Sequence, residues 1–405
     1  MDEELGLLSG SLTPRLQKDL TRLGTRLTFR EAAEELAALL QVEVSISTAR
    51  RLTESHGAAY VAVQTAEVEA IERQMPLPPK GPDKQLLSVD GAMVPLVGGE
   101  WAEVKTLALG VIDEPVEEKG ELVVHARGLS YFSRLTDADT FSRLALVETH
   151  RRGVETADQV IAVNDGAVWI QGFIDYHRAD AARVLDFPHA AEYISAMGAA
   201  VWGPDSIAGA EWFATQRHCL KHQGAGAVLP ELRTLTTAHP ELPELADKLA
   251  YLEKREAQMQ YPDFQARGWP IASGAVESGN KLVVEARLKG AGMHWARQHV
   301  NPMLSLRNAL ASDRWSESWS QIAAHHHRQK QQQSQARRQQ RLAEVSATVA
   351  EVKSPALLSS PMHSVPNAHP QPGRRYRPPL RHPWRRYPHP KAKRRSSSQT
   401  SCAKK

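Results

Sequence analysis

The chain has 405 residues, a net charge of +4, 41% hydrophobic residues and two cysteines. That length can hold a sizeable core and two or three domains, whereas Cys219 and Cys402 alone cannot form a disulfide framework or a thiolate zinc site. No apolar run approaches the roughly 18 residues of a membrane span, and Met1-Asp2-Glu3-Glu4 does not open a signal peptide, so a soluble cytoplasmic protein with no membrane partner is expected.

The first 25 residues predict a short helix from Pro14 to Leu23. Thr28 and Glu31 then have the spacing of a capping box, followed at helical period by Phe29, Ala32, Ala33, Leu36, Leu39 and Leu40. A second helix starts near Ser47 with Arg50 and Arg51 on its outer face. The pair reads as a helix-turn-helix or as a plain helical hairpin. A linking helix occupies 57–75, and Pro76, Pro78, Pro79 and Pro82 mark a domain boundary, so that 1–76 reads as a helical region, DNA-binding if the pair is a helix-turn-helix.

Beyond the prolines the pattern becomes that of strands. Leu86-Leu87-Ser88-Val89-Asp90-Gly91 reads as a buried strand that ends in a carboxylate near a tight turn, with a return strand after it. Further strands are read over 103–112 and from Glu121 toward Phe132. A helix follows from Ala138 to about Gly153, then a strand Val160-Ile161-Ala162-Val163 that delivers Asp165, a helix over 174–182, and a strand over 182–186. Three strands, helix, strand, helix, strand is the order of the ribonuclease-H-like fold, a mixed sheet flanked by helices. From Phe187 to about Gln265 only helical periodicity remains, which reads as a helical insertion (about 190–265) within a catalytic domain spanning 84–320.

Glu277 opens the next helix, and another spans about Pro302 to Ala311. Trp295, Trp315 and Trp319 near this end suit core or base-stacking roles. His325-His326-His327 cannot put three imidazoles on one helix face, so it is not read as a metal site. From Arg328 onward 18 Lys and Arg face two acids, a net of +16 that leaves −12 for residues 1–327. A disordered basic tail over 328–405 is expected, either solubilising or reaching for a polyanion.

Two strand-borne aspartates and one helix glutamate, 75 and 112 residues apart in turn, suit phosphodiester chemistry. Cleaving such an ester needs an activated oxygen nucleophile and a stabilised leaving oxygen, which two divalent cations about 4 Å apart supply. Hard oxygen ligands select Mg²⁺ or Mn²⁺, so Asp90, Asp165 and Glu277 are the candidate catalytic and metal-binding residues for two ions. An Asp-Gly pair after a strand is also a common turn, and each motif alone is weak.

Taken together, Ser88-Val89-Asp90-Gly91, Asp165-Gly166-Ala167-Val168-Trp169-Ile170, Ile271-Ala272-Ser273-Gly274-Ala275-Val276-Glu277-Ser278-Gly279 and Arg287-Leu288-Lys289-Gly290-Ala291-Gly292-Met293-His294-Trp295 make the chain similar to a known family. It resembles the DDE-class transposases of bacterial insertion sequences, nearest the ISKra group and more distantly the Mutator-like enzymes, over roughly 25–320. The resemblance implies cleavage at each element end to free a 3′-hydroxyl, which then attacks target DNA. It implies DNA partners (terminal repeats and target) and a homodimer or higher oligomer on DNA. Asp186 and His189 are then site-supporting. Lys281, Arg287 and Lys289 are phosphate contacts, Trp295 a DNA-stacking residue, and Arg50 and Arg51 contacts to the terminal repeats. A Cys-rich segment that relatives carry before the helix-turn-helix has no counterpart here. The alternatives are a related nuclease such as a junction resolvase, or a decayed or domesticated DNA-binding protein without transposition activity.

Overall fold

The computed structural model describes residues 12–118 and 120–352. Three helices come first: α1 (Pro14–Arg26), α2 (Phe29–Leu40) and α3 (Ile46–Gln74). Thr13, Thr28 and Ser45 each cap a free helix N-terminus through the side-chain oxygen, and Thr28 with Glu31 forms the anticipated capping box. What reads in sequence as a second helix and a linking helix is the single 29-residue α3.

The sheet is built from β1 (Lys84–Pro95), β2 (Trp101–Ile112), β5 (Ala126–Arg134), β6 (Gln159–Asn164) and β7 (Ala182–Leu185), in the order β5-β2-β1-β6-β7. The β1–β2 and β2–β5 pairs are antiparallel, and β1–β6 and β6–β7 are parallel. Between β2 and β5 a two-stranded hairpin intervenes, β3 (Val116–Glu118) and β4 (Glu121–Val123), so the run expected as one strand from Glu121 is divided before Ala126. Helices α4 (Ala138–Arg151) and α5 (Val168–Arg178) make the crossovers. The helix expected over 174–182 in fact begins at Val168.

The insertion is helical as expected: α6 (Phe187–Trp202), α7 (Ile207–Gln223), α8 (Ala225–Ala238), α9 (Pro243–Glu253) and α10 (Tyr261–Ala266). Next come α11 (Gly274–Gly279), a π-helical segment over Asn280–Glu285, α12 (Ala286–Leu288), α13 (Arg297–Ala311) and α14 (Trp315–Val352). The described residues up to Gln340 belong to one compact unit that includes α1–α3. The helix α14 corrects the expectation of disorder for 328–352, because its Gln, Arg and Ala are good helix formers even without an apolar face. The rest of the expected tail lies outside the described residues. No helix among those described is long and apolar enough to cross a membrane.

Alternation along the strands feeds the two faces of the sheet. Leu86, Ile161, Val163 and Leu185 pack with the insertion around Ile194, Leu229 and Tyr261. Leu87, Val89, Leu107 and Ala162 pack on the other face with Phe141 of α4 and Phe173 of α5. A third cluster joins Val94, Val104 and Tyr131 to Val283 and Leu304, and so fastens the π segment and α13 to the long hairpin arm.

Two helix glycines differ sharply in surroundings. A Cβ at Gly57 of α3 would meet the Pro302 backbone oxygen of α13 at 2.3 Å, whereas one at Gly172 of α5 has nothing within 4 Å. Gly172→Ala should therefore raise stability by about 0.5–1 kcal/mol through helix propensity. Gly57→Ala should lower it by about 2 kcal/mol or more by prising the helices apart. Urea midpoints of the two variants, moving in opposite directions from the wild type, check the packing.

Candidate active site

The sequence reading of Asp90-Gly91 as a turn needs correction. The strand β1 passes straight through both residues, with Asp90 opposite Thr106 and Gly91 opposite Lys105. Pairing of β1 with β6 stops at Leu87 and Ala162, so Asp90 stands just past the point where β1 loses its parallel neighbour. Gly91 is not there for a left-handed conformation. A Cβ in its place would lie 2.4 Å from Glu103 Oε1.

Asp165 follows β6 directly and is itself followed by a helix rather than a second strand. Its Oδ1 accepts from the Ala167 amide at 2.9 Å, an Asx-type contact at the start of α5. Gly166 has φ +77°, and a Cβ there would collide with Arg255 and Tyr251, so both conformation and space require glycine. Two insertion residues hold this turn from outside. Tyr251 donates its hydroxyl to the Asp165 carbonyl, and Arg255 donates to the Gly166 carbonyl from Nη2 at 2.6 Å. The Arg255 guanidinium lies 3.6 Å from the Tyr251 ring centroid, and Tyr251 in turn stacks on Tyr193 at 4.0 Å.

Glu277 lies in α11, where Ser273 Oγ donates to its Oε1 at 3.3 Å. The helix is tied to the far edge of the sheet by Asp186. One oxygen of that buried carboxylate accepts from the Ser273 amide at 2.6 Å, and the other caps α6 by accepting from the His189 amide at 2.9 Å. Burial pushes the Asp186 pKa up, and the nearby Glu277 charge acts in the same direction. Asp90, Asp165, Asp186, His189 and Glu277 thus line one cleft of about 250 Å³, together with Glu192 and Ser273.

Asp90 is held from both sides, since its Oδ1 accepts from the Gly91 amide and its Oδ2 from Asn280 Nδ2, each at 2.7 Å. Asn280 begins the π-helical segment, a local widening of the helix that recurs at functional sites. Its Oδ1 is buried without a partner. Burial, with the charges of Asp165 and Glu277 adding to it, pushes the Asp90 pKa up to about 6. Sequence reasoning missed Asn280, Tyr251 and Arg255. The last two sit on a helical stretch with no motif, and Asn280 lies only three positions past Glu277, where its identity alone signals nothing.

Other expected contacts fare differently. Lys281 and Arg51 are exposed, and Arg50 is exposed with Glu54 3.8 Å away. Lys289 is already paired with Glu285 at 2.8 Å. Arg287, expected as a phosphate contact, is buried. Only 3% exposed, it donates to the Gly24 carbonyl and packs against Phe29 and the buried Trp295.

Among the described residues, no three His, Cys, Asp or Glu side chains form a ready-made metal cage. The donor set nevertheless fits a hard divalent cation that keeps several of its waters, because the acids facing the cleft are carboxylates whose mutual repulsion a cation relieves. No protein-family model and no curated protein matches the chain.

Because the folded Asp90 binds its proton more tightly than the unfolded chain does, its contribution is most favourable below pH 3.8 and is lost as pH rises through about 6. Asp90→Asn should stabilise the metal-free protein at pH 7.5 by on the order of 2 kcal/mol and flatten the change in stability between pH 5 and 7. Thermal midpoints across that range, with a chelator present, test it. An unaltered profile in the variant would show that Asp90 is not the group under strain.

Proposed function

We propose that the chain is a DDE-type DNA transposase, performing metal-dependent strand cleavage and strand transfer at the ends of an insertion sequence. The observation that carries this reading is the convergence of Asp90, Asp165 and Glu277, from three distant stretches of the chain, on one cleft. The strand order and directions, with antiparallel β5-β2-β1 continued by parallel β6 and β7, are those of ribonuclease-H-like sheets and support it. So does the insertion between the second aspartate and the glutamate. The first turns of α3 and the start of α13 line a groove in which Arg50 and Arg51 are exposed beside Ser47, Thr48 and Glu54, and these two exposed arginines support a DNA role for the N-terminal helices.

In this mechanism Asp90, Asp165 and Glu277 would hold Mg²⁺ or Mn²⁺, which when bound activates the attacking oxygen and stabilises the leaving one. The chain's own residues supply the aim. Gly91 and Asn280 each donate to one Asp90 oxygen, leaving further lone pairs on both to face the cleft. Ser273 orients Glu277, while Asp186 fixes the start of α11 on which Glu277 rides. Tyr251 and Arg255 prevent the Asp165-Gly166 turn from relaxing away from its neighbours.

A cleavage assay on duplex DNA carrying the sequences that flank the gene, with and without Mg²⁺, tests the proposal. The wild type should nick at the element boundary only with the ion. Asp90→Asn, Asp165→Asn and Glu277→Gln should each lose about 10³-fold or more in rate while still binding the DNA. Wild-type rates in any of the three, or cleavage indifferent to the ion, would sink it. A second readout is independent of activity: Mg²⁺ should raise the thermal midpoint of the wild type and leave that of Asp90→Asn nearly unchanged.

A further inference from the structure

The insertion helix α7 carries a pair of histidines that the carboxylate cleft does not use. His218 and His222 stand four positions apart, about one helical turn, and so fall on the same face. Both are exposed, and their ring centroids lie 4.4 Å apart. Apart from each other, neither ring has a partner among the described residues. Most other histidines are engaged. His125, His150, His189, His239 and His299 each sit beside a carboxylate. His56 and His177 each meet a threonine hydroxyl, and His327 meets Gln331. The neighbours His325 and His326 are half-buried, with centroids 6.2 Å apart.

Two imidazoles one turn apart on a rigid helix can chelate a single cation. Imidazole nitrogen suits zinc, copper and nickel, whereas Mg²⁺ selects oxygen. The place on the helix adds to this preference. His222 lies in the last turn of α7, where unsatisfied carbonyls and the helix dipole favour positive charge. Gly224, which ends α7, returns no backbone hydrogen bond to it, whereas Gly203 after α6 donates to the Ala199 carbonyl. Arg217 and Lys221 oppose a cation, but each sits about 100° round the helix from the histidine beside it. Since no group of three His, Cys, Asp or Glu among the described residues could hold a metal, water must complete the coordination.

We propose that His218 and His222 bind one divalent transition-metal ion of the zinc type on the exposed face of α7. The two imidazoles are its protein ligands, and the remaining positions stay open to water, so the ion binds reversibly. This site is separate from the carboxylate cleft and does not depend on the reaction proposed there.

Calorimetric titration of the full-length protein with Zn²⁺, in excess Mg²⁺, tests the site by difference between variants, because the chain holds other histidines. His218→Ala and His222→Ala should each weaken one equivalent of Zn²⁺ binding by about tenfold or more, and the double variant should lose that equivalent. Asp90→Asn should keep it. Circular dichroism checks the fold of each variant. Hydrogen exchange places the ion: at a Zn²⁺ concentration ten times the dissociation constant, amides in the last turn of α7 should exchange about tenfold more slowly in the wild type and unchanged in the double variant. Three results would each refute the proposal. The first is the same Zn²⁺ isotherm for the wild type and the double variant. The second is full affinity in either single variant, which would show that the pair does not chelate. The third is loss of that equivalent in Asp90→Asn or its displacement by Mg²⁺, which would assign the ion to carboxylates.

Discussion

Carboxylates that repel one another share a cleft only if the backbone beneath each is held firmly enough to resist their separation. In this protein Asp90, Asp165 and Glu277 stand on three unrelated supports, each fastened by hydrogen bonds of its own. Asp90 is fixed by the β1–β2 ladder and by Asn280. Asp165 is fixed by the turn into α5 and the donors of Tyr251 and Arg255. Glu277 rides on the first turn of a helical run that continues through the π segment to Leu288, and Asp186 anchors the start of that run to the edge of the sheet. Burial first, and then the charges of Asp165 and Glu277, raise the pKa of Asp90.

This arrangement gives the helical insertion a role beyond bulk. Its helices cover one face of the sheet with Ile194, Leu229 and Tyr261, and the same packing brings Tyr251 and Arg255 against the Asp165-Gly166 turn. Gly166 makes the approach possible, since any Cβ would occupy the space these two side chains use. The insertion and the Asp165-Gly166 turn are thus joined by direct hydrogen bonds. On the opposite side, the π segment places Asn280 under Asp90 while Val283 and Val284 remain in the core shared with α13.

The local elements were largely legible because their causes are local. Thr28 with Glu31 marks a helix start by hydrogen bonds formed within three residues, and the start expected near Ser47 falls at Ile46 behind the cap Ser45. The aliphatic runs at Leu86-Leu87 and Val160 to Val163 mark strands buried on both faces. Errors arose where a residue's identity permits two causes. Gly91 looked like a turn former but lies within a continuous strand beside Glu103, and Arg287 looked like a phosphate contact but is buried against Phe29 and Trp295. In both cases the deciding neighbour is non-local or on another strand.

What the sequence by itself determined is the inventory: which stretches are strand or helix, where an insertion interrupts the sheet, and which three acids stand at places a folded backbone can aim. Those follow from periodicity and capping, which act over a few residues. Only the tertiary structure decided that the three acids face one another, that Asn280, Tyr251 and Arg255 hold them there, and that a buried guanidinium is left with an unpaired nitrogen. Such facts depend on contacts between residues from tens to more than 250 positions apart, and on the exclusion of water from between them, which no local pattern encodes.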